Sequence, residues 1–474
     1  MKKNSTILLG LILTAIILRF CTFFISVINH DESTYLVLGK TILQGYDYWV
    51  DYIDTKPPGI FLIVAAIQGL LGDSIFVFRL VTAVWIGLTA YFLYAIQLTW
   101  NYSRQVGLAS GISYILITSM FTFYGISPNT ELFFTLFTAL ALLIILRNQG
   151  GWPYFLAGLA LGFGFMIKYV VAFDALAFGL LISLSALRQK ESFWAYLKKA
   201  AVLFLGFLLP IVSIFGYYYQ IGHLDEAWFN GFVVSRRYPK TLSVWEYLTY
   251  VLDFFLRYLP LTIFFIYGLT AKIFARHHQR FVLLWSICVL VAILLPGNTY
   301  GHYFIQMMLP FCLGAGWIFG VPMTARPGWL RPIFRPKAAY SLLGLLVATA
   351  ITFQVIDYVQ KPDYIRQASR YLNERLAPED EIYLGNAKHI IYLLTDKQPL
   401  HAHVHPSLFW QEKHYEAMNI DIPREVAKIK AAKPRFVLIR EAAPDQRFGN
   451  WLAEEYTLVQ KFGGERILIY ELKE

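Results

Sequence analysis

Long apolar segments, separated by short polar ones, occupy most of the chain. Most of them approach the roughly 20 residues that an α-helix needs to cross a bilayer. They lie near 7–28, 75–97, 104–124, 131–147, 153–167, 169–187, 198–219, 247–273, 280–296, 301–320 and 338–358. The pattern predicts a polytopic α-helical membrane protein with about eleven transmembrane helices. The short neighbours 153–167 and 169–187 are the weakest part of this threading, because merging them would reverse the orientation of every later helix.

The pattern changes abruptly at about residue 359. Residues 361–376 are polar with helical spacing, and a second helical stretch covers 422–432. Short strand-like runs lie at 381–384, 435–439, 455–460 and 466–471. This alternation predicts a soluble α/β domain over 359–474, roughly the size of an ordinary domain, after a transmembrane domain over 1–358.

Composition supports lipid as the solvent for most of the chain. Hydrophobic residues make up 57% of the sequence and charged residues 15%, whereas soluble domains are about one-quarter charged. The net charge of +10 does not indicate nucleic-acid binding, because the basic residues are spread over short loops. Cys21, Cys288 and Cys312 lie in apolar stretches, which favours neither a disulfide nor a metal site.

The distribution of lysine and arginine orients the predicted helices. If the N-terminus lies in the cytoplasm, most basic residues fall in cytoplasmic loops, notably those at 188–199, 272–280 and 323–337. Cytoplasmic loops of membrane proteins are enriched in these residues. An odd number of helices then makes the C-terminal domain extracytoplasmic. The sequence therefore predicts an integral, multi-pass protein of the cell (inner) membrane.

Charged residues inside the apolar segments are costly and are candidates for function. Under this threading they all lie in the outer half of their helices: Arg19, Arg79, Lys168, Asp174, Asp253 and Arg257. Each one alone is explained by anchoring at the interface, and Asp253 with Arg257 has the spacing of a helical ion pair. Their collection on one side favours a polar cavity that opens outward.

The first outer loop, 29–74, contains two predicted helices. Residues 31–44 have a helical apolar stripe suited to lying in the membrane interface, and Gly45 ends it. Lys56-Pro57-Pro58-Gly59 then opens another apolar helix, since proline suits the first turn. A lysine there, beside unpaired N–H groups and the positive end of the helix dipole, suits a phosphate. The alternative is a lysine that merely flanks a helix start.

Three carboxylates lie at the outer ends of predicted helices. Asp31 and Glu32 follow the first apolar segment, and Glu131 follows a Ser-Pro-Asn-Thr sequence. Each has two interpretations, because an acidic residue either stabilises the start of a helix or acts as a base at the membrane surface.

Together these motifs resemble the first outer loop of the polyprenyl-phosphate-sugar-dependent glycosyltransferases. This membrane superfamily, with its C-type fold, includes the protein O-mannosyltransferases and the aminoarabinose transferase of lipid A. The resemblance covers most of the first 320 residues. The residues that carry it are Asp31-Glu32, Tyr35, Gly45, Lys56-Pro57-Pro58, Gly72, Arg79, Asn129-Thr130-Glu131, Gly162-Phe163-Gly164, Lys168-Tyr169, His302-Tyr303 and Pro310.

The resemblance implies roles for individual residues. Asp31 and Glu131 match catalytic carboxylates, and Lys56 matches the lysine near the donor phosphate. Less securely, the phosphate side is matched by Arg236, Arg237, His302 and Tyr303, with Glu32, Arg79, Lys168 and Tyr300 as further candidates. Some members carry an acidic residue directly before the lysine as part of a metal site. Thr55 stands there in this chain, so we predict no metal from that motif and no cofactor, with a divalent cation left open.

The implied function is an inverting glycosyltransferase. It would move a hexose or pentose from a polyprenyl-phosphate donor to a hydroxyl or amine of a lipid, glycan or protein acceptor at the outer membrane face. Its partners would be that donor, that acceptor and the bilayer, with no nucleic acid. The alternatives are a flippase for lipid-linked sugars, a polymer ligase and a secondary transporter, although a transporter predicts internal repeats and charges at the midplane.

A histidine run in the C-terminal domain gives a weaker metal hypothesis. His401, His403 and His405 alternate, as on one face of a strand, and could bind a metal. No fourth ligand is evident, and histidines in loops are commonplace, which favours the interpretation without metal.

Overall fold

The computed structural model describes residues 2–120, 122–147, 151–237, 242–444 and 446–473. The α-helices are α1 (Lys2–Arg19), α2 (His30–Leu43), α3 (Gly59–Leu71), α4 (Ile75–Thr99), α5 (Arg104–Thr118), α6 (Thr130–Arg147), α7 (Gly151–Ile167), α8 (Val171–Gln189), α9 (Phe193–Gln220), α10 (Leu224–Trp228), α11 (Val234–Arg237), α12 (Val244–Arg257), α13 (Leu259–Thr270), α14 (Arg276–Leu294), α15 (Phe304–Gly316), α16 (Pro336–Gln354), α17 (Tyr364–Asn373), α18 (Ile390–Thr395), α19 (Pro406–Trp410), α20 (Glu412–Ala417), α21 (Ile422–Ala432) and α22 (Gln446–Glu455). The strands are β1 (Ile382–Leu384), β2 (Phe436–Ile439), β3 (Tyr456–Phe462) and β4 (Ile467–Leu472).

The chain is a multi-pass membrane protein. Among the described residues, 8 helices are long and apolar enough to cross a bilayer, or up to 9 if a bent pair forms one span. Each of the predicted segments contains at least one helix. However, α5 and α7, in the third and fifth segments, have only 15 and 17 residues. The count of about eleven spans therefore stays a prediction.

The apolar segment 247–273, predicted as one transmembrane helix, is broken in two. The segment contains α12 and α13, which are bent by 92° relative to each other. Pro260, in the first turn of α13, has no backbone N–H to donate to the last turn of α12, which favours the break at Tyr258. Two helices at this angle cannot both follow the membrane normal. By contrast, α7 and α8 are separate helices, as predicted, with Lys168 in their short connection.

One compact unit comprises Met1–Phe23, Arg79–Ile214 and Lys240–Tyr358. Glycines let its helices approach closely, as α7 and α9 show. A Cβ added at Gly158 would lie 1.9 Å from the carbonyl oxygen of Leu203, and one at Gly206 would lie 2.1 Å from that of Phe155. Lipid gives no hydrophobic drive for helices to associate, so such close backbone contact stabilises the bundle through van der Waals packing.

Two of the charged residues of this unit, Arg19 and Asp174, have partners inside the protein. Arg19 is buried, and its guanidinium donates to backbone carbonyls, including that of Gly125 at 3.0 Å. Asp174 is buried and accepts hydrogen bonds from Trp285 at 2.6 Å and Gln306 at 2.7 Å. Partners inside the protein offset the cost of burying these groups. These two groups therefore join the helices of the bundle through hydrogen bonds, and a polar cavity at the outer face stays a prediction.

The second compact unit comprises Phe24–Phe78, Phe215–Pro239 and Val359–Glu474, so the first outer loop shares it with the C-terminal domain. The predicted C-terminal sheet is confirmed. Its strands are ordered β1-β2-β4-β3, with β1 parallel to β2 and the other pairs antiparallel. Its core contains the buried side chains of Tyr383, Val437, Phe448 and Trp451. The division of the chain at 358/359 into two domains stays a prediction.

The helix α2 is buried on more than one side. Residues 32–39 are all buried, because α3 packs on one side of α2 and α18 of the C-terminal domain packs on another. A Cβ added at Gly39 would lie 2.7 Å from Cγ1 of Val64, so glycine permits the close approach of α2 and α3. This packing fixes the start of α2, where Asp31 lies.

Candidate active site

A helix cap places the carboxylate of Asp31 at the start of α2. The Asn29 side chain accepts a hydrogen bond from the backbone N–H of Glu32 at 3.2 Å, which starts the helix at His30. The Asp31 side chain is 21% exposed, whereas Glu32 is buried and its carboxylate accepts from the backbone N–H of Ile28 at 3.3 Å. Asp31 is therefore the member of this acidic pair that a substrate can reach.

Lys56 lies at the entrance to α3, which begins at Gly59. Its ammonium donates to Oδ1 of Asp31 at 2.9 Å and to Oδ1 of Asp54 at 3.3 Å. The same oxygen of Asp54 accepts from the backbone N–H of Lys56 at 3.1 Å, which closes the turn before the two prolines. We call Asp31, Asp54 and Lys56 the Lys56 centre.

Aromatic residues of the outer loop hold this turn in place. The hydroxyl of Tyr48 donates to the carbonyl oxygens of Lys56 at 2.5 Å and Asp54 at 3.0 Å. The indole N–H of Trp49 donates to the Asp54 carbonyl at 3.3 Å, and its ring packs against Tyr218. The backbone on either side of Thr55 is thus fixed by side chains, as a preorganised site requires.

The electrostatics of the Lys56 centre keep the lysine charged. Burial alone would lower the pKa of the Lys56 ammonium, but the carboxylates of Asp31 and Asp54 outweigh this effect and hold the pKa well above its usual value. The ammonium has three N–H donors, and its two carboxylate contacts use two of them. The third has no hydrogen-bond acceptor among the described residues and suits an anionic ligand.

The other unit brings Glu131 together with Lys168. Glu131 lies in the first turn of α6, is 1% exposed, and accepts a hydrogen bond from the Thr130 hydroxyl at 3.1 Å. The Lys168 ammonium donates to its carboxylate and lies 4.0 Å from the centroid of the Tyr303 ring. The acid is therefore held by a cation that also contacts an aromatic face.

Three further predicted residues adjoin this pair, in a turn of 3₁₀-helix at Gly301–Tyr303 and just before it. The ring of His302 lies edge-on to Tyr303 at 4.9 Å and stacks on Tyr300 at 5.7 Å. The hydroxyl of Tyr250 donates to the Tyr300 carbonyl at 2.6 Å, which fixes the turn. The structure thus brings together five residues that the sequence predicted separately: Glu131, Lys168, Tyr300, His302 and Tyr303.

Comparison with known proteins identifies the fold. A crystal structure of ArnT from Cupriavidus metallidurans bound to undecaprenyl phosphate superposes with a TM-score of 0.70 over 98% of this chain and 97% of that chain, at 12% identity. The chain has the ArnT fold. The archaeal oligosaccharyltransferase AglB from Archaeoglobus fulgidus, in complex with an inhibitory peptide and a dolichol-phosphate, matches with a TM-score of 0.53 over 99% of this chain and 74% of that chain, at 12% identity.

A family model also matches part of the sequence. The family model described as dolichyl-phosphate-mannose-protein mannosyltransferase matches residues 55–214. No curated protein matches the chain significantly. The resemblance inferred from the first outer loop is confirmed, and so is the predicted membrane bundle with a C-terminal α/β domain.

The arginines predicted at the site differ in burial: Arg79 is buried, whereas Arg236 and Arg237 are exposed. Arg79 is buried and donates to the Thr22 carbonyl at 2.5 Å, so it braces the connection after α1. Arg236 and Arg237 are exposed at the end of α11. Arg237 donates to the Asn419 side chain at 2.8 Å and lines a cavity of about 390 Å³ beside α20. Their donor-binding role stays a prediction.

The histidine run does not lie on one face of a strand. Residues 401–405 have no regular structure; His401 packs in the domain core against Phe409, while His405 faces His30 and His389. Within the described ranges, no group of three or more His, Cys, Asp or Glu side chains has the geometry to hold a metal ion. The expectation of no resident metal or cofactor stays a prediction.

Sequence reasoning missed Asp54, the second carboxylate of the Lys56 centre. It is 1% exposed and lies two residues before the lysine. A carboxylate so close to a candidate phosphate-binding lysine was a usable signal, because a charged residue inside an aromatic, partly buried loop needs a partner of opposite sign. The spacing of the two residues permits both the backbone and the side-chain contact.

Proposed function

We propose that this chain is an inverting glycosyltransferase that transfers a hexose or pentose from a polyprenyl-phosphate donor to an acceptor hydroxyl or amine. The observation that carries the proposal is the 2.9 Å contact between Asp31 and Lys56. A partly exposed carboxylate and a charged lysine lie side by side, as a transfer that releases a phosphate requires. The ArnT structure bound to undecaprenyl phosphate supports the donor class.

The proposed reaction is a single displacement. The Asp31 carboxylate takes the proton from the acceptor, whose oxygen or nitrogen then attacks the anomeric carbon. The bond between that carbon and the phosphate oxygen breaks, and polyprenyl phosphate leaves with the electron pair. The third N–H of Lys56 stabilises the negative charge that develops on the leaving oxygen. Attack opposite the leaving group inverts the anomeric centre.

In our proposal the residues around Glu131 contribute to the same activity. Glu131 is kept as the second catalytic carboxylate, and His302 and Tyr303 as groups that bind the donor. Lys168 fixes Glu131 and the Tyr303 ring together, so its own role is positioning. The proposed acceptor is a lipid, glycan or protein, and the proposed place of transfer is the extracytoplasmic face of the cell (inner) membrane.

The direct test of the activity is release of polyprenyl phosphate. Purified protein in detergent is expected to release it from a synthetic polyprenyl-phosphate sugar when a cell-envelope extract supplies the acceptor, with little release when the extract is omitted. Mass spectrometry of the lipid and glycosylated products measures both sides of the reaction. A flippase would instead move the intact lipid-linked sugar across proteoliposomes without release, and that result would contradict the proposal.

The proposed orientation has its own test. A reporter enzyme that is active only outside the cytoplasm is expected to give signal when fused after Glu474. The same reporter inserted in the loop at 272–280 is the matched control and is expected to be silent, because its basic residues favour the cytoplasm. Signal from 272–280 and silence after Glu474 would reverse the threading and the location of the active site.

A further inference from the structure

The Lys56 centre carries an excess of negative charge. Lys56 contributes one positive charge, while Asp31 and Asp54 contribute two negative charges in the ionised forms that are usual at neutral pH. This sum disfavours a second anion, because like charges repel strongly in a partly buried site. A phosphate that binds here therefore needs a further cation nearby.

Four basic side chains form a cluster beside Asp31. Lys388 and His389 directly precede α18, His405 directly precedes α19, and His30 opens α2. The ring centroids of the three histidines lie 5.6 to 5.8 Å apart, and Nζ of Lys388 lies 2.5 Å from Nε2 of His30. We call these residues the basic cluster; the C-terminal domain supplies three of the four.

Lys388 is the uncompensated cation of this cluster. It forms no ion pair with any described residue, whereas Lys56 has two carboxylate partners. Its contact with the His30 imidazole uses one of three ammonium donors and brings no negative charge. A partly buried ammonium without a directly bonded counter-ion is costly, and an anionic ligand at Lys388 would reduce that cost.

The titration behaviour of the cluster agrees with this shortage of negative charge. Burial and the neighbouring Arg440 lower the pKa of Lys388 to about 8, which still leaves it mostly charged at neutral pH. Burial and Lys388 lower the pKa of His30 to about 3. The carboxylate of Asp31 acts to raise the pKa of His30 and of His405, but this carboxylate is already paired with Lys56.

A buried N–H donor of His30 that lacks an acceptor also favours an anionic ligand. Because the Lys388 ammonium donates to Nε2, the neutral His30 ring carries its proton on Nδ1. That Nδ1 atom is buried and has no hydrogen-bond partner among the described residues. A buried donor without an acceptor costs about 1 to 3 kcal/mol, and a ligand oxygen would remove that cost.

We propose that Lys388, with His30 and His405 beside it, binds a phosphate-type oxyanion next to the Lys56 centre. The C-terminal domain thereby supplies a substrate-binding group to the first outer loop. The oxyanion belongs either to the polyprenyl donor or to the acceptor, and this assignment to a substrate rests on the proposed function. The binding itself does not rest on it, because it follows from the charges and contacts of the cluster.

The first experiment measures binding without catalysis. Full-length protein in detergent is titrated with inorganic phosphate at constant ionic strength by isothermal titration calorimetry. Lys388→Met is expected to weaken binding by about tenfold or more, the loss expected for a charge-assisted hydrogen bond, and Lys388→Arg to restore most of it. Lys428→Met is the matched control, since Lys428 pairs with Glu425 on the surface of the same domain, and it is expected to bind as the wild type does.

Thermal unfolding distinguishes a lost ligand from a lost fold. Removing an unpaired charge relieves strain in the unliganded protein, so Lys388→Met is expected to unfold at the same temperature as the wild type or higher. Added phosphate is then expected to raise the unfolding temperature of the wild type but not of Lys388→Met. Equal phosphate binding by the two proteins, or no binding by the wild type, would overturn the proposal.

Steady-state transfer separates the two sources of the oxyanion. If it is the donor phosphate, Lys388→Met raises KM for the polyprenyl-phosphate sugar and weakens binding of polyprenyl phosphate alone. If it is an anionic group of the acceptor, only the acceptor KM rises. Loss of phosphate binding in a protein that transfers no sugar would support the oxyanion site and contradict the proposed function. Sugar transfer by Lys388→Met with both KM values unchanged would support the proposed function and contradict the assignment of the oxyanion to a substrate.

Discussion

Asp31→Asn is expected to slow sugar transfer by roughly a hundredfold or more, the usual contribution of a general base. Asparagine keeps the oxygen that accepts from Lys56, so the geometry at the start of α2 is retained while the basicity is lost. The amount of folded protein is expected to hold, because the side chain is partly exposed. Transfer from a synthetic polyprenyl-phosphate sugar, measured in purified protein, checks the prediction.

A second aspartate of the same loop provides the matched control for this substitution. Asp51 is exposed, and its carboxylate accepts from the backbone N–H of Asp47 at 2.7 Å. Asp51→Asn is therefore expected to transfer sugar at nearly the wild-type rate. If Asp31→Asn also did so, Asp31 would not be the base, and Glu131→Gln would become the decisive variant. The buried Glu32 carboxylate, which bonds to the backbone of its own turn, is the weaker alternative.

Lys56→Met is expected to cost on the order of 3 kcal/mol of transition-state stabilisation, comparable to the loss of one preorganised donor. Methionine keeps most of the apolar stem and deletes the charge that faces the leaving phosphate. Lys56→Arg is expected to recover part of the rate, because a planar fork replaces a point charge. Rates of transfer for the three proteins, measured side by side, test the phosphate site.

The ion pairs of Lys56 require two further variants. Lys56→Met leaves the buried Asp54 carboxylate without its cation, which lowers stability as well as activity. The double variant Lys56→Met with Asp54→Asn is expected to regain thermal stability but not transfer. Lys40→Met is the matched control, because Lys40 also has two carboxylate partners, Asp73 and Asp396. Lys40 lies on α2, about 14 Å along the helix from Asp31. Equal transfer by the wild type, Lys56→Met and Lys40→Met would exclude a phosphate role for Lys56.

The sequence predicts the secondary structure well where local patterns decide it. The helical stretch 31–44 is observed as α2, and 422–432 is observed as α21 with the same bounds. The strand-like runs correspond to β1–β4 within two residues. Helix caps, periodicity and turn residues are properties of neighbouring positions, so a single sequence contains them.

Features that depend on contacts between residues distant in the sequence could not be predicted. The contact of His30 with Lys388 joins residues 358 positions apart, and no local pattern signals it. The burial of α2 on several sides likewise depends on α18, which a stripe of apolar residues cannot reveal. The break between α12 and α13, by contrast, has a local signal in Pro260. The long apolar run around that proline nevertheless predicted a single segment.

The first outer loop and the C-terminal domain belong to one compact unit of the structure. The backbone N–H of Ile53 donates to the carbonyl of Ala402 at 2.8 Å, and the Tyr52 hydroxyl donates to the carbonyl of Pro399 at 3.2 Å. A chimera that grafts a foreign tail after residue 358 retains these contacts only if the foreign backbone follows the same path. We therefore expect a chimera with a relative to fold best when 24–78, 215–239 and 359–474 are exchanged together.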